Sequence, residues 1–209
     1  MIGIDHYLAF VAACVLLNLT PGADTLYILT RSIAQGRKAG FWSAAGIMTG
    51  CLVHTTAAAL GLSVVLATSA LAFTVVKVAG AAYLIWLGAS ALFGKHQAFS
   101  VGSGLPPVSV GKMFLQGMAT NVLNPKVALF FLAFLPQFVD PARGGPLAFG
   151  LLGLTFVATG TTWCLILVVA SSALTEALRR RPKIGPWLNR GSGVVFVGLG
   201  AAVLWGDRK

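Results

Sequence analysis

The sequence predicts an all-α integral membrane protein of six transmembrane helices, arranged as two inverted three-helix repeats in which helices 1 and 4 are broken. Three observations support this fold class: an apolar composition, long apolar blocks, and short motifs that recur in both halves. Of the 209 residues, 57% are hydrophobic and 10% are charged, and the mean hydropathy is +0.86. An average soluble domain carries about 25% charged residues, so this composition indicates a chain embedded in a lipid bilayer.

Five apolar blocks supply the predicted spans, since one crossing needs about 20 apolar residues. Four blocks each fit one helix: residues 7–29, 113–138, 146–172 and 190–206. The block from Phe41 to Phe93 would be about 80 Å long as one helix, so we expect it to fold back near residues 67–74. Six crossings result.

The basic residues predict the orientation, because Lys and Arg collect in cytoplasmic loops. The loops after spans one, three and five hold ten of the fifteen: Arg31, Arg37, Lys38, Lys95, Lys112, Arg179, Arg180, Arg181, Lys183 and Arg190. The opposite side holds Arg143, Arg208 and Lys209, and the other two, Lys77 and Lys126, fall inside spans. Both termini are therefore expected outside. Topology accounts for most of the net charge of +10, so nucleic acid is not an expected partner.

The longest polar connection separates spans three and four. It reads GKHQAFSVGSGLPPVSVGK, and its Gly, Ser and Pro-Pro content is typical of a flexible linker. We therefore predict a first three-helix repeat over residues 1–93, a cytoplasmic linker over 94–112, and a second repeat over 113–209.

Two pairs of motifs align the halves in the same order. LTPGA at 19–23 matches LNPKV at 123–127, and KVAGAAYL at 77–84 matches RGSGVVFV at 190–197. Each half has an odd number of spans, so the second half enters the membrane from the opposite side. Such inverted repeats are typical of many secondary transporters.

The first motif pair predicts a helix break in spans one and four. Thr20 before Pro21, and Asn124 before Pro125, each resemble an N-cap residue followed by proline at the first helical position. A half-helix that restarts inside the membrane points free N–H groups and a positive dipole end into a cavity, where a carboxylate can bind. Gly22 would allow close backbone approach at this point.

Two opposite charges lie beside the predicted breaks. Asp24 follows the first break and Lys126 follows Pro125, and a charge at this depth needs a partner or a wet cavity. In one interpretation the two side chains neutralise each other and hold the halves together. In the other, Lys126 and the helix ends bind a substrate carboxylate, while Asp24 binds the substrate ammonium or a coupling proton. The two interpretations can both hold in a transporter whose ion pair breaks as substrate enters.

Other polar residues inside the spans are open to two interpretations each. Asn18 and Asn121 could line the cavity or make interhelical hydrogen bonds. His54 could relay protons, or be a histidine packed between helices. Lys77 is expected to reach the membrane interface.

The remaining motifs predict packing rather than chemistry. Gly46 and Gly50 form a GxxxG motif that permits close helix packing within the bundle or a homodimer, which leaves the oligomeric state open. The cysteines lack metal-ligand spacing and are expected to be small buried apolar residues: Cys14, Cys51 and Cys164. We predict neither a metal site nor a cofactor.

The chain resembles the LysE/RhtB family of bacterial amino-acid exporters over essentially its whole length. The resemblance is carried by LTPGAD (19–24), KVAGAAYLIWLGASAL (77–92), FLQGMATNVLNPKVALFFLAFLPQFV (114–139) and NRGSGVVFVGLG (189–200). It implies a bacterial inner-membrane protein that exports amino acids or close derivatives, driven by the proton-motive force. Ala23 stands where the family's first motif commonly has a second proline, which relaxes the first break.

Three other classes of protein compete with an exporter. A passive channel or facilitator for small zwitterionic metabolites could also use broken helices at mid-membrane. An embedded enzyme is disfavoured because the chain lacks HExxH and GxSxG motifs. A purely structural subunit would not explain charges at mid-membrane beside two helix restarts.

Overall fold

The described chain is built from helices joined by short loops. The computed structural model describes residues 2–93, 106–140, 142–180 and 184–205. Its α-helices are α1 (Tyr7–Leu19), α2 (Ala23–Gln35), α3 (Arg37–Ala57), α4 (Ser63–Thr68), α5 (Ala70–Phe93), α6 (Val110–Val122), α7 (Pro125–Leu129), α8 (Pro146–Arg180) and α9 (Ile184–Trp205). Within the described ranges the β-structure is limited to one isolated bridge between Ile4 and Val139. The predicted all-α class is confirmed.

Helix length and composition identify a multi-pass membrane protein. Two continuous helical stretches, Arg37–Val65 and Pro146–Ala173, are long and apolar enough to cross a bilayer. Two further spans are formed if each bent pair counts as one: α1 with α2, bent by 50°, and α6 with Pro125–Phe138, bent by 46°. The predicted breaks at Pro21 and Pro125 are therefore confirmed. The total of six crossings and the inverted repeat stay predictions.

The long apolar block after Phe41 is interrupted where the sequence predicts. A π-helical segment, Ala58–Leu62, joins α3 to α4, Ser69 is extended (φ −155°, ψ 100°), and α5 begins at Ala70. The predicted linker lies outside the described residues over 94–105, and its last three residues, 110–112, belong to α6.

Several basic residues that were predicted in loops lie in helices instead. They are Arg31, Arg37, Lys38, Lys112, Arg179, Arg180 and Arg190. The predicted loop positions were wrong because the helices extend past their apolar cores, and hydropathy detects only the core. α8, for example, continues from the predicted end at residue 172 to Arg180.

Glycines bring helices of the two halves into close contact. A Cβ on Gly46 would clash with the Phe114 carbonyl of α6, one on Gly50 would clash with Asn121, and one on Gly117 would clash with the Ser43 carbonyl of α3. The GxxxG motif therefore packs α3 on α6 within one chain. The α5 and α9 helices meet in the same way, through Gly88 and Gly193.

A cluster of phenylalanines fills the core beside the second break. α7 continues as a π-helical segment, Phe130–Phe134, and a 3₁₀ turn, Leu135–Phe138. Phe130 is fully buried, with its ring 5.0 Å from Phe156 of α8 and 5.8 Å from Phe10 of α1. Rings at these separations pack favourably, so the second break is held against both α1 and α8.

The N-terminal segment is attached to the loop after the second broken helix. The Asp5 N–H donates to the Phe138 carbonyl at 2.9 Å, and the Asp140 N–H donates to the Gly3 carbonyl at 3.0 Å. Gly3 has φ +71°, and its Cβ would clash with Arg143 and Gly144, so the contact needs glycine. The Ala142 N–H and the Arg143 guanidinium stabilise the Asp140 carboxylate and hold its pKa below the usual range.

Candidate functional site

The first helix break has a different cap from the one predicted. Thr20 ends α1, and its hydroxyl donates to the Leu16 carbonyl at 2.8 Å. Gly22, in an extended conformation, precedes α2, which has no side-chain cap. The prediction of Thr20 as N-cap was wrong because its hydroxyl satisfies the preceding turn, a common alternative for threonine. The N-terminus of α2 therefore has backbone donors that no side chain caps.

The second break has the predicted geometry. The Asn124 side chain accepts a hydrogen bond from the Lys126 N–H at 3.1 Å, and Pro125 occupies the first position of α7. The amide nitrogen of Asn124 is buried without a partner. Asn124 is therefore the N-cap of the restarted helix, and Pro125 has the fixed φ that suits the first helical position.

Lys126 connects the two breaks. Its ammonium donates to the Thr20 carbonyl at 2.9 Å and to the Leu17 carbonyl at 3.2 Å, both at the carboxyl end of α1. A cation at this end is stabilised by the negative pole of the helix dipole. A Cβ on Gly22 would lie 3.3 Å from the ammonium nitrogen, so the glycine makes room for it. The side chain thus occupies the gap left by the first break.

Asp24 has one bound and one free carboxylate oxygen. Oδ2 accepts a hydrogen bond from the Asn121 amide at 2.9 Å, whereas Oδ1 is buried without a partner. Among the described side chains, the one ion pair joins Arg143 to Asp140, so Asp24 and Lys126 make no direct contact. The structure therefore shows no direct ion pair between them, although the two opposite charges still attract each other. Each charge is instead held by neutral groups of another helix.

The two charges line a small cavity between the helices. It offers about 30 Å³ to the centres of water molecules, and one water needs about 10–15 Å³, so it has room for about two. Its polar lining residues come from five helices, α1, α2, α6, α7 and α8: Asn18, Asp24, Thr25, Asn121, Lys126 and Trp163. Three buried polar atoms on this lining have no partner: Asp24 Oδ1, Asn121 Oδ1 and Trp163 Nε1. Unpartnered polar atoms around a cavity indicate a site for a polar ligand or water.

Asn18 and Asn121 each line the cavity and also make an interhelical hydrogen bond, so both interpretations of these residues hold. Asn18 lines the cavity and donates to the Thr159 hydroxyl of α8 at 3.2 Å, and Asn121 lines it while binding Asp24. His54 lies behind this layer, with Nε2 3.3 Å from the Asn121 carbonyl and its ring stacked on Phe131. These are the contacts of a packed histidine, and its part in proton transfer stays a prediction. The side chain of Lys77 lies outside the described part of the chain.

Sequence reasoning missed several residues of the lining. Trp163, Cys51 and Cys164 all border the cavity, although the cysteines were predicted to be packing residues only. The polar N–H of Trp163 in the middle of an apolar span was a usable signal, since a buried indole normally finds a partner. Among the described residues, no group of His, Cys, Asp and Glu could hold a metal ion.

A multi-pass helical protein whose broken helices meet at a charged cavity has the architecture of a membrane transporter. The model of the family described as LysE type translocator matches residues 15–206, and the chain belongs to this family. The family consists of translocators and not of enzymes, so sequence, structure and family membership agree on the class of protein.

Two kinds of curated relative match nearly the whole chain. A leucine efflux protein of Klebsiella pneumoniae is 32% identical over 95% of this chain and 94% of its own length. A leucine efflux protein of Salmonella typhimurium is 27% identical over the same shares of both chains. The membrane protein YrhP of Bacillus subtilis is 32% identical over 92% of this chain and 95% of its own. No solved structure matches the chain.

Proposed function

We propose that the protein exports an amino acid or a close derivative from the cytoplasm across the bacterial inner membrane. The observation that carries this proposal is the small cavity at which the two helix breaks place an anion and a cation without direct contact. Such a site complements a zwitterion, which carries one charge of each sign. The relatives named leucine efflux proteins support an amino acid as the substrate class.

The contacts suggest how a zwitterion would bind. Its carboxylate would take the Lys126 ammonium and the uncapped N–H groups at the start of α2. Its ammonium would donate to Asp24 Oδ1 and Asn121 Oδ1, which are buried without a hydrogen-bond partner. The rest of the lining includes apolar side chains from Ile28, Ile47, Met48, Val127 and Phe156. A branched aliphatic side chain such as that of leucine suits these neighbours.

The size of the cavity favours alternating access over an open pore. Space for about two waters cannot hold an amino acid, so helices must move before substrate can bind. The two bends are the natural points for this movement, since backbone hydrogen bonds are already interrupted there. A passive facilitator stays the second candidate, and the effect of a protonophore separates the two.

Asp24 is the proposed coupling group. Its free oxygen can hold either the substrate ammonium or a proton, so binding of one would release the other. We therefore expect export against a gradient to require both the carboxylate and the proton-motive force.

The test is efflux from cells that express the protein and are preloaded with amino acids by dipeptide feeding, with the medium followed by mass spectrometry. We expect selective release of one or a few amino acids, abolished by Asp24→Asn and stopped against a gradient by protonophore. Asp5→Asn, which changes an exposed carboxylate near the N-terminus, is the matched control and should export normally. Full export by Asp24→Asn would exclude the proposed coupling group. Downhill release that persists with protonophore would indicate a facilitator.

A further inference from the structure

The strongest unexplained feature outside the cavity is a buried arginine in α2. Arg31 is only 7% exposed, although the sequence placed it in a cytoplasmic loop. A buried guanidinium normally pairs with a carboxylate, because the cation loses its hydration when it leaves water. Among the described residues, no carboxylate pairs with Arg31.

All hydrogen-bond partners of Arg31 are neutral. Nη1 donates to Gln35 Oε1 at 3.2 Å and more weakly to the Pro106 carbonyl at 3.4 Å, and Nη2 donates to Gln116 Oε1 at 3.1 Å. Three of the five guanidinium donors are thereby used, and the buried Nε is left without a partner. The group retains both its full charge and free donors.

The surrounding side chains hold this cation in a fixed orientation. Gln35 exchanges two hydrogen bonds with the backbone of Val108, at 3.1 and 3.2 Å, which directs its amide. The Tyr27 hydroxyl donates to the Met113 carbonyl at 2.9 Å and contacts Gln116, while its ring lies 5.8 Å from the guanidinium. A guanidinium held in this way binds a planar carboxylate with little further ordering.

Arg31 lies on the same face of α2 as two residues of the cavity lining. Asp24, Ile28 and Arg31 follow each other at i, i+4 and i+7, so they lie along one face of α2. Seven residues correspond to about 10.5 Å of helix. Asp24 and Ile28 both line the cavity, and the predicted orientation puts the Arg31 end toward the cytoplasm. An exported molecule that follows this face meets Arg31 first.

We propose that Arg31, with Gln35 and Gln116, forms an inner binding site that takes the carboxylate of the exported molecule before it reaches the central cavity. This inference rests on the proposed function, since it assigns the site to the same substrate. The carboxylate binds the free donors, including Nε, and replaces the weak contact to the Pro106 carbonyl. Transfer to the cavity then exchanges one cation, Arg31, for another, Lys126.

The first test uses phenylglyoxal, which modifies arginine, on the purified protein in lipid nanodiscs, with each site read by peptide mass spectrometry. Isovalerate, a carboxylate without an amine, should slow modification of Arg31 severalfold, and isoamylamine, an amine without a carboxylate, should not. Arg37, which is exposed, is the internal control, and phenylglyoxal should modify it at the same rate with either compound or with neither. The inner site is excluded if phenylglyoxal does not modify Arg31 in the absence of both compounds. It is also excluded if isovalerate leaves the rate of Arg31 modification unchanged.

A second test distinguishes a role of Arg31 in substrate binding from a purely structural role. In proteoliposomes, Arg31→Gln should weaken inhibition of leucine export by isovalerate roughly tenfold, the expected loss for a charge-assisted hydrogen bond. Inhibition by isoamylamine should be unchanged, Arg31→Lys should recover part of the loss, and Arg37→Gln should behave as wild type. Equal weakening of both inhibitors would show that Arg31 only braces α2 against α6. If the wild type exports no amino acid, the proposed function fails, while the labelling experiment still decides whether Arg31 binds a carboxylate.

Discussion

At the residue scale, the site depends on charges that are held by neutral groups. Lys126 bonds to two carbonyls at the end of α1, and Asp24 bonds to the Asn121 amide, so the two charges are held apart without a direct ion pair. A direct ion pair between Asp24 and Lys126 would have to be broken before a ligand could bind either group, which would reduce the free energy of ligand binding. The observed arrangement keeps one carboxylate oxygen free and holds the ammonium next to the uncapped start of α2.

We predict that Lys126→Met abolishes export and destabilises the protein. Hydrogen bonds to charged groups contribute about 1.5–3 kcal/mol, so loss of the ammonium should lower the free energy of unfolding by an amount in this range. Efflux assays and thermal unfolding in detergent measure the two effects. Lys38→Met, at an exposed position of α3, is the control and should change neither. Normal export by Lys126→Met would remove this lysine from the substrate site.

At the element scale, the site is assembled by close helix contacts that only glycine permits. Gly46, Gly50 and Gly117 let α3 and α6 approach until backbone meets backbone. Gly50 also makes room for the Asn121 side chain, which holds Asp24. The packing of α3 on α6 therefore sets the position of a side chain in the cavity.

Gly46→Ala is expected to destabilise the protein, because the added methyl group would clash with the Phe114 carbonyl. Overpacking of this kind costs about 1–3 kcal/mol and should appear as a lower Tm. Gly150→Ala in α8 is the matched control, since nothing lies within 4 Å of its added Cβ. It should leave Tm unchanged or raise it, because alanine favours a helix over glycine. An unchanged Tm in Gly46→Ala would mean that α3 and α6 can move apart to admit the methyl group without a loss of stability.

At the scale of the whole molecule, the two halves meet through their broken helices. Lys126 follows the second break and binds the carbonyls at the first, so the site belongs to neither half alone. This arrangement suits a transporter in which one half moves against the other.

The predicted orientation is open to a direct test. Both termini should lie outside the inner membrane, because basic residues concentrate at the opposite ends of the helices. Epitope tags on either terminus should be cleaved by protease added to spheroplasts, while a cytoplasmic marker stays intact. Protection of either tag would contradict the topology and would reverse the direction assigned to Arg31.

The sequence alone determined the helical class, the membrane location and the two breaks, because apolar composition and proline act locally along the chain. It also singled out Asp24 and Lys126, since charges inside apolar spans stand out without knowledge of their neighbours. Only the tertiary structure decided what these charges contact, that Thr20 ends a helix, and that Trp163, Cys51 and Cys164 border the cavity. It also showed Arg31 as a buried cation rather than a loop residue. Apart from the local hydrogen bond of Thr20 to Leu16, these features depend on contacts between residues about 75 to 140 positions apart, which hydropathy and local motifs do not encode.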